Sequence, residues 1–303
     1  MGEPNVCVVT ALREVEGFVG LFREMLRQQT VRPKRLLLLE NDSTDLTWSA
    51  LRTWRREAPD EGVSLCEVRT HVPLFPKEAS ARRSAHLAMI RNLALDEALT
   101  FPDWTHVLFQ DVQKHLPPYA LEELLRADAQ LGDQGGIVSP IIACVGGPFY
   151  DTWCFRTLTG EPFAMDMGRP PGRHYRGGLV EIGACGGVFL IRRAVLEAGC
   201  RLAGTDGRDC DSVPFCAAAR AKGFRVWLNQ QVIATHCAAP TVLARYAQRQ
   251  SIEAPPPRRP IPILQLGDDW RVDWERRHPL QKVRRDSRYE PHGVPLPIGS
   301  AIR

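Results

Sequence analysis

No run of about 18 apolar residues occurs in the 303-residue sequence, so no segment reads as a membrane-spanning helix. The start, MGEPNVCVVTALREVEG, lacks a basic stretch followed by an apolar one, which argues against a secretory signal. Gly2 is not followed by the Ser or Thr that N-myristoylation requires. Internal repeats are absent. No Cys-x-x-Cys occurs among the nine cysteines, whose number is odd and whose spacing is scattered. That pattern argues against both a disulfide framework and a structural zinc site. Free thiols in a reducing, cytoplasmic setting are the expectation.

What is present is ordinary globular composition, 44% apolar and 24% charged, enough for a packed core. The formal net charge of +4 is unevenly placed. Residues 241–303 carry twelve Lys/Arg against seven Asp/Glu, which leaves residues 1–240 close to neutral. Beyond Ala254 the tail is Pro-rich and lacks apolar periodicity, so 241–303 reads as an extended basic segment. Trp270, Trp274 and Tyr289 stand among its arginines. They are expected either to pack the tail onto the domain or to contact a polyanion such as DNA.

Along residues 1–142, short apolar runs alternate with helical periodicity. Strands are expected at Val6–Thr10, Arg35–Leu39, Val63–Val68, His106–Phe109 and Gly136–Ile142. Helices are expected near 15–26, 46–56, 79–99 and 117–126. The strands are too apolar for a one-sided sheet, which predicts an α/β fold with a mostly parallel sheet covered by helices on both faces. Ligands of such sheets lie at the carboxyl ends of the strands. That singles out Thr10 to Arg13, Glu40 to Asp45 and Gln110 to Gln113.

Residues 145–176 read as a long irregular stretch, and loops of this length are usually functional or disordered. Further strands are expected at Ala184–Ile191, Phe224–Leu228 and Val232–Ala234, and helices at 192–198 and 213–222.

Five segments together resemble the GT-A glycosyltransferases, especially the large family-2 type, over roughly residues 5–237. Glu40-Asn41-Asp42-Ser43-Thr44-Asp45 follows a Leu-rich strand. Val107-Leu108-Phe109-Gln110-Asp111-Val112-Gln113 resembles the strand that bears the family's Asp-x-Asp motif. Cys185-Gly186-Gly187-Val188-Phe189-Leu190-Ile191-Arg192-Arg193 resembles the acceptor-side Gly-Gly strand. Phe215-Cys216 with Arg220 to Val226 resembles the helix and strand after the acidic catalytic motif. His236 sits where a C-terminal metal-binding His is expected. Tyr150-Asp151-Thr152-Trp153-Cys154-Phe155-Arg156 is closer to the fungal capsule-associated mannosyltransferases.

The resemblance implies a GT-A domain over 1–240, with a donor half near 1–142 and an acceptor half near 143–240. It implies a UDP- or GDP-linked nucleoside-diphosphate sugar as donor. Thr10, Arg13, Glu40, Asp42, Arg91, Asn92, Asp111, Gly186 and Gly187 would hold that donor. A divalent cation, Mn²⁺ or Mg²⁺, would be held by Asp111, Gln113 and His236. Asp211 or Asp209 would serve as base, and Tyr150, Asp151, Trp153 and Arg156 would face a glycan, small-molecule or nucleic-acid acceptor. Gln113 departs from the pattern, because a neutral amide stands where the second carboxylate is expected, and it ligates hard cations more weakly. Three outcomes of that departure compete: a metal held by Asp111 and His236 with the donor phosphates, transfer without a metal, or binding without turnover. Simpler readings compete at several positions: Glu40, Asn41, Asp42, Asp209 and Asp211 are also residue types that cap helices.

Overall fold

In the computed structural model, the described residues are 4–75, 80–145, 149–151, 153–163, 177–250, 255–256 and 258–264. Thr152, the stretch 164–176 and the aromatic and arginine residues of the tail beyond 264 lie outside them.

The first half is a run of strand–helix units. Strand β1 (Val6–Leu12) is followed by α1 (Glu16–Arg27), β2 (Arg35–Asn41), α2 (Thr47–Glu57), β3 (Val63–Val68), α3 (Ala81–Leu99) and β4 (His106–Gln110). All pairings within β3–β2–β1–β4 are parallel. Val8, Val9, Leu37 and Leu38 are fully buried between the helical layers, as continuous apolar strands must be. Truncating such a side chain to Ala typically costs about 2–5 kcal/mol. Helix α1 buries Phe18, Val19, Phe22, Met25 and Leu26. Phe22 meets Trp54 of α2 edge-on, with ring centroids 6.3 Å apart.

The second half is mixed. It contains β5 (Lys114–His115), α4 (Ala120–Leu131), β6 (Gly136–Cys144), β7 (Leu179–Glu181), β8 (Val188–Arg192), α5 (Arg193–Glu197), α6 (Ser212–Ala221), β9 (Arg225–His236), α7 (Pro240–Gln250) and β10 (Ile263–Leu264). The sheet runs β10-β7-β9-β6-β8-β4-β1-β2-β3, and β5 adds to β9. Strand β8 lies antiparallel between β4 and β6. This insertion decides the geometry of the site. An antiparallel strand begins where its neighbour ends, so Val188 sits opposite Gln110. Strand β9 runs parallel to β6 and ends at His236, which pairs with Lys114 of β5. Three chain segments distant in sequence therefore meet at the carboxyl end of β4.

Several expected boundaries shift for physical reasons. The two strands expected at 224–228 and 232–234 are one strand, β9. Its register against β6 jumps from Asn229 to Ile233 across the polar Asn229-Gln230-Gln231, an irregularity that reads in sequence as a break. Strand β8 starts at Val188, later than the Ala184 expected, and Ala184 makes only an isolated bridge to Arg156. Strand β7 is three residues long and was not expected. The segment expected to be extended from 241 opens instead with α7. Pro240 at its first position is pre-set for a helix start, and Leu243 is buried. Beyond it, Ile261 pairs through its backbone with the Gln130 side chain of α4, and β10 adds to β7. No helix of the described residues is long and apolar enough to cross a membrane, and all nine cysteines are free.

Candidate active site

The site is built on a tight turn. The Lys114 backbone N–H donates to the Asp111 carbonyl at 3.1 Å. The buried Gln110 amide donates to the Lys114 carbonyl at 2.7 Å. The turn brings the Lys114 ammonium to the Asp111 carboxylate, with Nζ 2.6 Å from Oδ2. The other carboxylate oxygen, Oδ1, accepts from Arg91 Nη2 at 3.0 Å. Arg91 projects from the middle of α3, lies over the Phe109 ring and spans two carboxylates, its Nη1 donating to Asp211 Oδ1 at 2.6 Å. The result is a chain of charges, Lys114–Asp111–Arg91–Asp211, running from β5 to the start of α6. Asp211 is nearly fully buried, and its Oδ2 has no hydrogen-bond partner.

Electrostatics follow from this chain. Burial works to raise the Asp111 carboxyl, but Lys114 and Arg91 outweigh it and hold the group at about 2. Burial lowers the tendency of Lys114 to stay charged, yet Asp111, Asp151 and Tyr150 together push its pKa above the usual lysine value. Burial dominates at Asp211 and Asp151, and both carboxyls are raised. Tyr150 is pushed up to about 12, chiefly by burial. Carboxylates with opposed shifts placed side by side are the usual arrangement of acid–base sites.

Gly187 closes this cluster. Its φ of +74° is left-handed, and its backbone carbonyl accepts from the Asp111 N–H at 3.0 Å. A Cβ there would run into Lys114 Cε and would lie 2.6 Å from Nζ and 3.1 Å from Asp151 Oδ2. A Cβ on Gly186 would meet Cys154 Sγ at 2.7 Å and Ser212 Oγ at 2.8 Å. Gly187→Ala is therefore expected to displace Lys114 as well as strain the backbone, with a loss of about 1 kcal/mol from φ alone. Thermal unfolding beside a turnover assay checks this. A variant matching the wild type in both would show that Lys114 has room to move.

The structure brings some of the expected residues to one place. Asp111, Arg91, Asp211, Gly187, Tyr150, Asp151 and His236 surround the end of β4. The His236 ring stacks on Tyr150 with centroids 3.9 Å apart and an interplanar angle of 16°, and it lies within electrostatic reach of Asp111. The Gln113 carbonyl accepts from the Cys237 N–H. Arg83 of α3 lies over the Trp153 ring and interacts electrostatically with Asp111 and Asp211.

Other expected residues are committed elsewhere. Asn92 uses both ends of its amide on the Leu202 backbone, at 2.8 and 2.9 Å. Asp209 pairs with Arg156, and Trp153 donates to the Gly207 carbonyl at 3.2 Å. These ties order the 205–211 loop against the 150s segment. Glu40 is fully buried and accepts the Ser43 N–H at 2.6 Å, a bond that holds the loop after β2 and caps no helix, since α2 begins only at Thr47. Asp42, at φ +51°, accepts from the Thr70 N–H and hydroxyl and from Asn41, which ties β2 to the end of β3. Arg13 donates to the Val72 carbonyl. Thr10 is buried with an unpartnered hydroxyl.

Lys114 was not singled out in the sequence. The available signal was its place three residues after Asp111 in a segment too short for a helix, where a turn makes an i,i+3 ion pair.

No protein-family model matches the chain, and no curated protein matches it by sequence. Solved structures do. One is the mannosyltransferase PcManGT from Pyrobaculum calidifontis in complex with GDP-Man and Mn²⁺, at TM-score 0.50 and 18% identity, covering 85% of this chain and 67% of that one. Another is S. aureus TarS 1-349 in complex with UDP-GlcNAc, at TM-score 0.46 and 15% identity, covering 78% and 59%. A longer S. aureus TarS structure matches at TM-score 0.49 and 14% identity, covering 82% and 39%. The likeness to the first, together with the strand order and the inserted antiparallel β8, shows that this chain has a GT-A-like glycosyltransferase fold.

Proposed function

We propose that the protein is a glycosyltransferase that moves a hexosyl group from a UDP- or GDP-linked sugar to an acceptor hydroxyl. The observation that carries this reading is the convergence of Arg91, Lys114, Asp111, Gly187 and Asp211 at the carboxyl end of β4, where sheets of this kind bind ligands. The PcManGT structure, which holds GDP-Man and Mn²⁺, makes a nucleotide-sugar the natural occupant. The cationic groups would face the diphosphate. Asp211 is the residue we assign as base: its Oδ2 is unpartnered, and burial makes it a stronger proton acceptor than an exposed carboxylate. Tyr150 and Asp151 would lie on the acceptor side.

The sequence pattern also suggests a divalent cation at Asp111, Gln113 and His236. The donor set fits one poorly. Both Asp111 oxygens already carry cations of the protein, Gln113 is neutral, and no group of three His, Cys, Asp or Glu side chains suited to a metal gathers among the described residues.

The reading is tested by incubating the purified protein with UDP- and GDP-sugars and following release of nucleoside diphosphate, beside a thermal-shift series with the same compounds. A ligand that binds the native state raises the melting point by mass action. Slow hydrolysis of one donor is expected even without acceptor. A melting-point rise with no turnover on any acceptor would instead support the binding-only reading prompted by Gln113. No rise and no release with any donor would end the glycosyltransferase proposal.

A further inference from the structure

We infer that Lys114 and Arg91 take the place of a divalent cation, so that this protein binds and discharges its diphosphate donor without a metal. The inference rests on the glycosyltransferase reading above and concerns how that same site handles charge.

The geometry carries it. A hard cation at the end of β4 would need the oxygens of Asp111, and both are engaged, Oδ2 by the Lys114 ammonium at 2.6 Å and Oδ1 by the Arg91 guanidinium at 3.0 Å. These are not surface groups passing by. The Lys114 side chain is only 6% exposed. Its position is fixed from three sides: by the turn that Gln110 holds, by pairing with His236, and by Gly187, whose missing Cβ leaves the space that Cε and Nζ fill. Arg91 is fixed by the second ion pair, to Asp211. A third cation, Arg83, interacts electrostatically with the same carboxylates. Arg83, Arg91 and Lys114 thus balance Asp111, Asp151 and Asp211, before any ligand arrives. A divalent ion would have to displace Lys114 or Arg91 from the Asp111 oxygens to gain a ligand there. A diphosphate would enter beside three donors suited to phosphate oxygens. The neutral Gln113 fits the same account, because a site with no metal to hold needs no second carboxylate.

The step balances without the ion. The bond from the sugar C1 to the diphosphate oxygen breaks, and its electron pair stays on that oxygen. The acceptor hydroxyl oxygen bonds C1, and its proton passes to Asp211. Negative charge grows on the departing diphosphate, and Lys114 and Arg91 are the preorganised groups that meet it.

The test uses the full chain. Protein treated with EDTA is titrated calorimetrically with UDP and with GDP, then again with Mn²⁺ in place of EDTA, and donor turnover is followed under both conditions. The preferred nucleotide is expected to bind with affinities within about threefold of each other in the two conditions, and turnover to be retained in EDTA. Lys114→Gln is expected to weaken nucleotide binding in EDTA by about tenfold or more. Mn²⁺ should then restore part of the loss, because Asp111 Oδ2 has been released. Binding or turnover that appears only with Mn²⁺ overturns the inference and leaves the glycosyltransferase reading standing. Failure of both nucleotides to bind in either condition overturns that reading and the inference with it. Unchanged binding by a folded Lys114→Gln in EDTA also overturns the inference. If that variant does not fold, the wild type decides alone: a stoichiometric Mn²⁺ signal by electron paramagnetic resonance in the nucleotide complex counts against the inference, and free Mn²⁺ only counts for it.

Discussion

Asp111→Asn is expected to lower glycosyl transfer by about a hundredfold or more and to destabilise the fold at the same time. The two effects share one cause. The Asp111 carboxylate is the middle of the Lys114–Asp111–Arg91 array. Replacing it with an amide keeps its size but removes the charge that positions both cations. Loss of one positioned electrostatic group in a site of this kind commonly costs about 10²–10³ in kcat. On the stability side, Arg91 keeps Asp211, but Lys114 loses its nearest anion and keeps Asp151 and Tyr150 as neighbours. Leaving a buried charge without its partner typically costs about 3–5 kcal/mol, and the remaining Asp151 should hold the loss toward the lower end.

The pH dependence of this variant has a definite sign. The folded Asp111 carboxyl sits at about 2, below the ordinary value near 3.9. A depressed carboxyl contributes stability above its unfolded pKa and loses it as pH falls through the folded one. The wild type should therefore lose stability between roughly pH 4 and 2 from this group, and Asp111→Asn should lack that component. At the alkaline end the folded Lys114 pKa is raised, so its contribution is complete below the unfolded value and lost as pH rises through the folded one. In the variant that contribution should be smaller and its loss should end at lower pH. Melting temperatures from acid to alkaline pH, measured beside donor turnover, check both limbs. A variant with wild-type turnover and an unchanged stability profile would remove Asp111 from the centre of the site.

The fold was legible to the extent that its signals are local. Strands β1, β2 and β4 are largely continuous apolar runs, and α1 has a clear apolar face, so sequence reading finds both without knowing the partners. What failed was decided elsewhere in the chain. Strand β7 is three residues whose strand character exists only through β9 and β10. Helix α7 was hidden by the charge and proline content of the tail that follows it. The candidate site divides the same way. Asp111 and Gly187 could be found by their place at strand ends. That Asn92 clamps Leu202, or that Asp209 spends its charge on Arg156, depends on contacts more than 50 positions apart, for which the sequence carries no local mark. Lys114 was overlooked for another reason. A metal-ligand role for its partner Asp111, which the resemblance implies, leaves no role for a cation beside it.

Arg91→Met is expected to cost more stability than any single change on the periphery of the site, and a second substitution should recover part of the loss. Arg91 is the only group bonded to Asp211 Oδ1 by a side chain among the hydrogen bonds of the described residues, at 2.6 Å, and Asp211 is 1% exposed. Methionine can follow the aliphatic path of the arginine over Phe109, so packing is largely kept while the charge is removed. Asp211 is then a buried carboxylate without its hydrogen-bonded cation, and removal of one partner of such a pair costs about 3–5 kcal/mol. Burial already raises the Asp211 carboxyl in the intact protein, with Arg91 as the main opposing influence. Without Arg91 its pKa should climb further, and the carboxyl should take up a proton on folding. A group raised in the folded state favours folding at lower pH, so Arg91→Met should lose least in acid and most at neutral pH. The double variant Arg91→Met with Asp211→Asn removes the stranded charge. It should be more stable than Arg91→Met alone at neutral pH, with a coupling energy of about 1–3 kcal/mol in the cycle. Denaturant unfolding of the wild type, both single variants and the double variant measures that coupling directly. Additive losses would mean that Arg91 and Asp211 are neighbours without a shared energy, and the charge chain from Lys114 would then end at Arg91.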